Sequence, residues 1–412
     1  MDKEKWLHTM RVYDEYERRF AEARINKPFY VPTSDGDRET IIADVKRMLA
    51  YDDAMLPEIG EMEEVAREAR DGYDIVQLHY TTWENFHAAA TLFMPHGEQK
   101  VPLVFVFCGH GENGRLTPGY PLMAERYAKR GMAVIVPDNI GQGDRTKYGH
   151  NHVIAPFYCG LTLQGMILME SVALIRRMAK HPRVDSTRMG ACGNSGGGTL
   201  CLMLAALAPE LAVLSASGYP SEFSFILSKE RRHCACNLLP GCANGPDMWE
   251  ILSAFAPKPL MIEQGKNDCL IPEDLFLRTV RKVNHVYLQM DRSESFRFWR
   301  ANTLHPWVTE DRDVISEFIC EKLGVEAPYD KGDDESLTSL IEGWHVALPE
   351  DGLTTEQLAE RLTGKVMPKG TTLSDIFKPT FEGKPIREDD IVTDIGRGEV
   401  MRVLAQMECA LS

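Results

Sequence analysis

Between about residue 73 and Gly324 the chain alternates short apolar runs with longer stretches of helical period, and this alternation restricts the fold most. The apolar runs lie at 103–107, 133–136, 189–192, 211–214 and 260–262, with a more alternating one at 296–299. Segments of helical period at 120–130, 161–180, 197–207 and 272–283 separate most of them. Runs that are apolar throughout suit strands buried on both faces, and intervening helices imply right-handed crossovers between parallel strands. Upstream, 74–80 and 87–94 flank Trp83, Glu84 and Asn85 and read as a β-hairpin. The expectation is an α/β domain over 73–324, with a mostly parallel central sheet flanked by helices.

Two flanking regions complete the organisation. Residues 1–72 read as a helical segment packing on the core, with Trp6, Met10, Tyr13 and Phe20 on one stripe and Ser34 as an N-cap. Residues 325–412 form an acidic extension that serves as a solvated appendage, a lid or an oligomer contact. Nine basic and eighteen acidic residues over 326–412 place more than half of the chain's net charge of −15 there. Within it, Thr354 and Gln357 have the spacing of a capping box.

The chemistry points to Gly193-Asn194-Ser195-Gly196-Gly197, a G-x-S-x-G pattern between the run at 189–192 and the helical stretch that follows. Such a match is short enough to arise by chance; its strand–turn–helix setting is what a nucleophile elbow requires. A serine hydroxyl needs a base, and the base needs an orienting carboxylate, both expected on loops after later strands. Asp268 follows the run at 260–262 and is the candidate acid, with Glu263 as a rival. His305 follows the run at 296–299 and is the candidate base, with His285 as its main competitor. Asp138, which precedes the serine, reads as a loop anchor. The oxyanion hole is expected from the N–H of Gly196 together with one from the loop His110, Gly111, Glu112 after the first buried strand. An insertion at 219–257 should roof the pocket, with Tyr219 and Trp307 as wall candidates.

Two places in the sequence invite a metal reading. His110 and Glu112 could form a pair but lack further ligands at a convincing spacing. His233, Cys234 and Cys236, with Cys242 beyond, lack a second pair at finger spacing and read as buried or pocket-lining. The expectation is therefore no metal and no cofactor.

Several segments together resemble the acetyl xylan esterase-like, dienelactone hydrolase-related branch of the α/β-hydrolases. They are Leu163-Gln164-Gly165-Met166, Lys180-His181-Pro182-Arg183-Val184-Asp185, the stretch from Arg188 through Ser195 to Gly198, His233 through Gly241, and Ala256-Pro257-Lys258-Pro259-Leu260. The resemblance covers roughly 73–324 and implies an α/β-hydrolase fold, with Ser195 as nucleophile, Asp268 as acid and His305 as base. It implies hydrolysis of short acyl esters, often acetyl groups on sugars or small molecules, without a cofactor. A serine exopeptidase, a lactone or carbon–carbon bond hydrolase, and a non-catalytic binding protein are the alternatives.

Composition narrows the partners. An excess of 61 acidic over 46 basic residues argues against nucleic acid. The charged opening Met1-Asp2-Lys3-Glu4-Lys5 leads into no apolar stretch, and no run has the length of a membrane span. The ten scattered cysteines read as reduced thiols. These features predict a cytoplasmic enzyme acting on a small or oligosaccharide ester, with homo-oligomerisation open.

Overall fold

The computed structural model describes residues 2–227, 234–327, 333, 335–391 and 397–412. Nine strands form one sheet: β1 (Glu63–Arg70), β2 (Tyr73–Thr81), β3 (His87–Pro95), β4 (Val101–Phe107), β5 (Ala133–Pro137), β6 (Val184–Asn194), β7 (Val213–Ser217), β8 (Leu260–Gly265) and β9 (Phe296–Ala301). Their spatial order is β1-β2-β3-β5-β4-β6-β7-β8-β9. The pairs from β5 through β9 are parallel, and β1, β2, β3 and β5 are joined antiparallel. This is the mostly parallel, helix-flanked sheet expected of an α/β-hydrolase.

The apolar runs are continuous because the sheet is covered on both sides. Along β4, Leu103, Phe105 and Phe107 join one core, while Val104 and Val106 face a second, as the two-residue period of a strand dictates. Helices Asp35–Leu49, Leu163–Met178, Gly196–Leu207 and Glu273–Gln289 contribute to the first core. Helices Gly119–Ala128 and Thr309–Lys322 cover the other face.

The hairpin forms as read, with Thr81 opposite His87. Two elements differ. The run at 211–214 is displaced along the chain, because β7 extends to Ser217 and buries Ser215 and Ser217 without exposure. β1 gave no apolar signal: it is an edge strand carrying Glu63, Glu64, Arg67, Glu68 and Arg70, exposed for most of its length. Charges on an edge strand also discourage pairing with another chain.

The flanking regions are packed. Ser34 Oγ accepts the Asp37 N–H and caps Asp35–Leu49, and the Thr354–Gln357 capping box closes the start of helix Thr355–Thr363. The last helix, Arg397–Leu411, buries Val400, Val403, Leu404, Ala405 and Met407. It meets the first helix, Lys3–Asn26, where Glu408 pairs with Arg19 at 2.9 Å and accepts the Tyr16 hydroxyl. It also accepts backbone N–H groups from Gly241 and Ala243, at Cys409 and Ala410. Further along, Asp144 accepts the Val346 N–H at 2.8 Å, and the buried Arg115 joins Asp138, Asp144 and the Trp344 carbonyl. The acidic extension is thus docked on the domain by apolar faces and buried charge. Among the described residues no helix is long and apolar enough to cross a membrane.

Candidate active site

Three loops at the carboxyl ends of the parallel strands carry the candidate residues. Ser195 ends β6 and begins helix Gly196–Leu207, with φ 58° and ψ −117°. A non-glycine residue in that region is strained and persists only where its surroundings enforce it. Here the enforcement is backbone against backbone. A methyl group on Gly197 would lie 2.0 Å from the Phe107 carbonyl oxygen, and one on Gly198 would lie 2.0 Å from that of Ser217. Only glycine lets the helix start so close to β4 and β7, and the Ser195 N–H is fixed on the Ser217 carbonyl at 3.0 Å.

Asp268 follows β8 and His305 follows β9. The two loops are tied by Lys266 N–H to Ala301 O at 2.8 Å and Asn267 N–H to Thr303 O at 2.9 Å. The Asp268 side chain is buried; its Oδ1 accepts the N–H groups of Leu270 and Ile271 at 2.7 and 3.2 Å. That leaves Oδ2 for His305 Nδ1, 2.8 Å away. The pairing fixes the imidazole so that Nε2 is the free position. Nε2 is buried and has no hydrogen-bond partner among the described residues. Ser195 and His305 line the same cleft, of about 150 Å³, together with Gly196, Thr199 and Tyr219.

The other candidates divide. Tyr219 lines the cleft, its hydroxyl donating to Asn237 Oδ1 at 3.0 Å. Trp307 does not line it: the indole is buried in the core behind β8, 5.9 Å from the Tyr120 ring, and donates to Glu263 at 3.2 Å. Burial and the nearby Asp311 carboxylate push Glu263 up to about 8. On the loop after β4, Gly109 lies against Ser195, and the His110 ring packs on Gly196; a methyl group there would be 2.8 Å from His110 Nδ1. The Gly111 N–H is already donated to Gln142 Oε1 at 2.9 Å, and Glu112 is exposed and outside the cleft lining.

No spacing or motif points to His150. It lies on the loop after the short helix Gly143–Tyr148, and its Nε2 is 3.0 Å from that of His110. Cys234 and Cys236 complete this group, whereas Glu112 is no part of it. His233 lies outside the described residues.

Comparison with known proteins follows the same lines. Residues 56–233 match the family model described as acetyl xylan esterase (AXE1). The match contains Ser195 and ends before Asp268 and His305. A Bacillus subtilis (strain 168) protein named "Putative hydrolase YtaP" is 23% identical over 188 residues, which are 45% of this chain and 63% of that protein. The chain therefore matches less than two thirds of that relative's length. Among solved structures, the methylesterase BT1017 superposes with a TM-score of 0.63 at 17% identity, covering 84% of this chain and 78% of its own. Acetyl xylan esterase 1 from Thermoanaerobacterium sp. JW/SL YS485 superposes with a TM-score of 0.51 at 18% identity, covering 69% and 94%. The sheet domain is an α/β-hydrolase fold similar to that of acetyl xylan esterases.

Proposed function

We propose that this protein is a serine hydrolase that cleaves short-chain carboxylic esters, acetyl esters of sugars or small molecules, through an acyl-enzyme. The observation that carries the reading is the oriented imidazole. Asp268 holds His305 Nδ1 and leaves Nε2 without a partner, and His305 lines the same cleft as the strained Ser195. The acetyl xylan esterase match over 56–233 supports the ester chemistry.

His305 Nε2 takes the proton from Ser195 Oγ as the oxygen attacks the ester carbonyl, and Asp268 stabilises the resulting imidazolium. The oxyanion is received by the N–H groups of Gly196 and His110, since that of Gly111 is engaged; such a donor lowers the barrier by about 3 kcal/mol. His305 returns its proton to the leaving alcohol, and water repeats the sequence to release the acid. The small cleft, walled in part by Ile226, Leu270 and Ile271, suits a short acyl chain.

Hydrolysis of a chromogenic acetate ester and labelling by a fluorophosphonate test the proposal. Both should disappear in Ser195→Ala, and His305→Ala should lose most turnover while staying folded. Full activity in Ser195→Ala refutes the nucleophile. Preference for aminoacyl-nitroanilides over acetate esters refutes the substrate class.

A further inference from the structure

At the cleft, which His110 and Cys234 help to line, four side chains from three distant segments converge. His110 follows β4, His150 belongs to the loop after the helix Gly143–Tyr148, and Cys234 and Cys236 lie at the turn Ala235–Asn237 in the insertion. One nitrogen or sulfur atom from each lies within 4.8 Å of the other three. His110 Nε2 is 3.0 Å from His150 Nε2 and 3.1 Å from Cys236 Sγ, and the two sulfurs are 3.3 Å apart. A tetrahedral zinc ion with bonds of about 2.0–2.3 Å needs ligand–ligand edges of about 3.3–3.8 Å. The group is therefore gathered around a point at nearly the right scale.

Orientation supports the same conclusion. His150 Nδ1 lies 2.7 Å from the Ile140 carbonyl, which can only accept, so Nδ1 carries the hydrogen. This leaves Nε2 as the ring nitrogen that faces the group, the arrangement usual for a metal-ligating histidine. His110 Nε2 faces that nitrogen and the Cys236 sulfur at once. Next to them is a void of about 10 Å³ bounded in part by His110, His150 and Cys236, the space of a single small sphere. Cys236 and His150 are buried, while Cys234 and His110 reach the cleft, giving an ion a path in.

We propose that His110, His150, Cys234 and Cys236 bind one divalent zinc ion. Four protein ligands make a closed, structural site rather than one with an open position for substrate. Two thiolates with two imidazoles favour zinc over the oxygen-seeking cations. The ion joins the loop beside Ser195 to the turn that walls the pocket. The site stands on its own residues and does not depend on the ester-hydrolase reading.

Elemental analysis of the purified full chain tests this directly. About one zinc per chain is expected, falling by about tenfold or more in Cys234→Ser/Cys236→Ser and in His150→Ala. Ser195→Ala and Cys242→Ser should retain it. Because the cysteine variant could fail to fold, the second measurement uses the wild-type chain: chelated, then titrated with cobalt(II) alone. It should take up one equivalent with the ligand-field bands of a tetrahedral ion and thiolate charge transfer. Unchanged zinc in the variants overturns the proposal, as does stoichiometric copper or iron in place of zinc. So does an octahedral cobalt spectrum, or a Cys234–Cys236 disulfide in protein whose thiols were blocked at lysis.

Discussion

At the carboxyl ends of β4, β6 and β7 the chain is placed by its own backbone: Gly197 touches the Phe107 carbonyl, Gly198 that of Ser217, and the Ser195 N–H is bound across to β7. On the far side of the first core the contacts are of another kind. There the first helix meets both the segment after Cys236 and the last helix through its side chains. Arg24 reaches three carbonyls between Cys242 and Gly245 and pairs with Asp247 at 2.6 Å. Lys27 pairs with the fully buried Glu250 at 2.5 Å. Backbone contacts leave no room to adjust, whereas side-chain contacts can be exchanged for others of similar shape. The first region should tolerate almost no change and the second should yield gradually.

The sharpest way to break that contrast is Gly197→Ala. A methyl 2.0 Å from a carbonyl oxygen has no rotamer to retreat into. The variant should fail to accumulate as folded protein in a solubility and circular-dichroism assay, and normal folding would sink the backbone argument. Next comes Arg115→Met, which strands the buried carboxylate of Asp138. A loss of about 3–5 kcal/mol is expected by denaturant unfolding. Faster proteolysis near Trp344 should accompany it, since Arg115 also holds that carbonyl at 2.8 Å.

Leu404→Ala, in the last helix, then asks whether the acidic extension contributes to stability at all. Leu404 is fully buried, so a cost of about 3 kcal/mol is expected. No change in the unfolding midpoint would return the extension to the status of a solvated tail. A pH-dependent effect sits behind the site. Glu263 is raised from 4.5 to about 8 by burial, with Asp311 adding to it. The folded state therefore holds a proton that the unfolded chain has released. That contribution is complete below about 4.5 and is lost as pH rises through about 8. Glu263→Gln should flatten the stability profile across this window, and an unaltered slope would show that Glu263 does not hold the proton.

The same contrast explains what was legible. Ser195 was found because five consecutive residues between a strand and a helix encode a turn, and local geometry is written locally. Asp268 and His305 were reached from the ends of apolar runs. Trp307 reads as a pocket wall, but its indole is buried in the core and donates to Glu263. β1 escaped because an exposed edge strand needs no apolar face. His150 had no signal: the residues it meets lie on two other segments, and no spacing in the sequence records that convergence. In helix Lys3–Asn26 Tyr13 and Phe20 are buried as read, but Trp6 and Met10 are exposed and the buried face runs instead through Val12 and Tyr16.

Ser195 itself carries a further consequence. Its positive φ costs roughly 1–3 kcal/mol that a glycine would not incur. Selection for heat resistance alone would favour losing the one hydroxyl proposed to attack the ester. A thermally improved lineage of this chain must therefore be screened for turnover at every round, or it will drift toward a sturdier, silent protein.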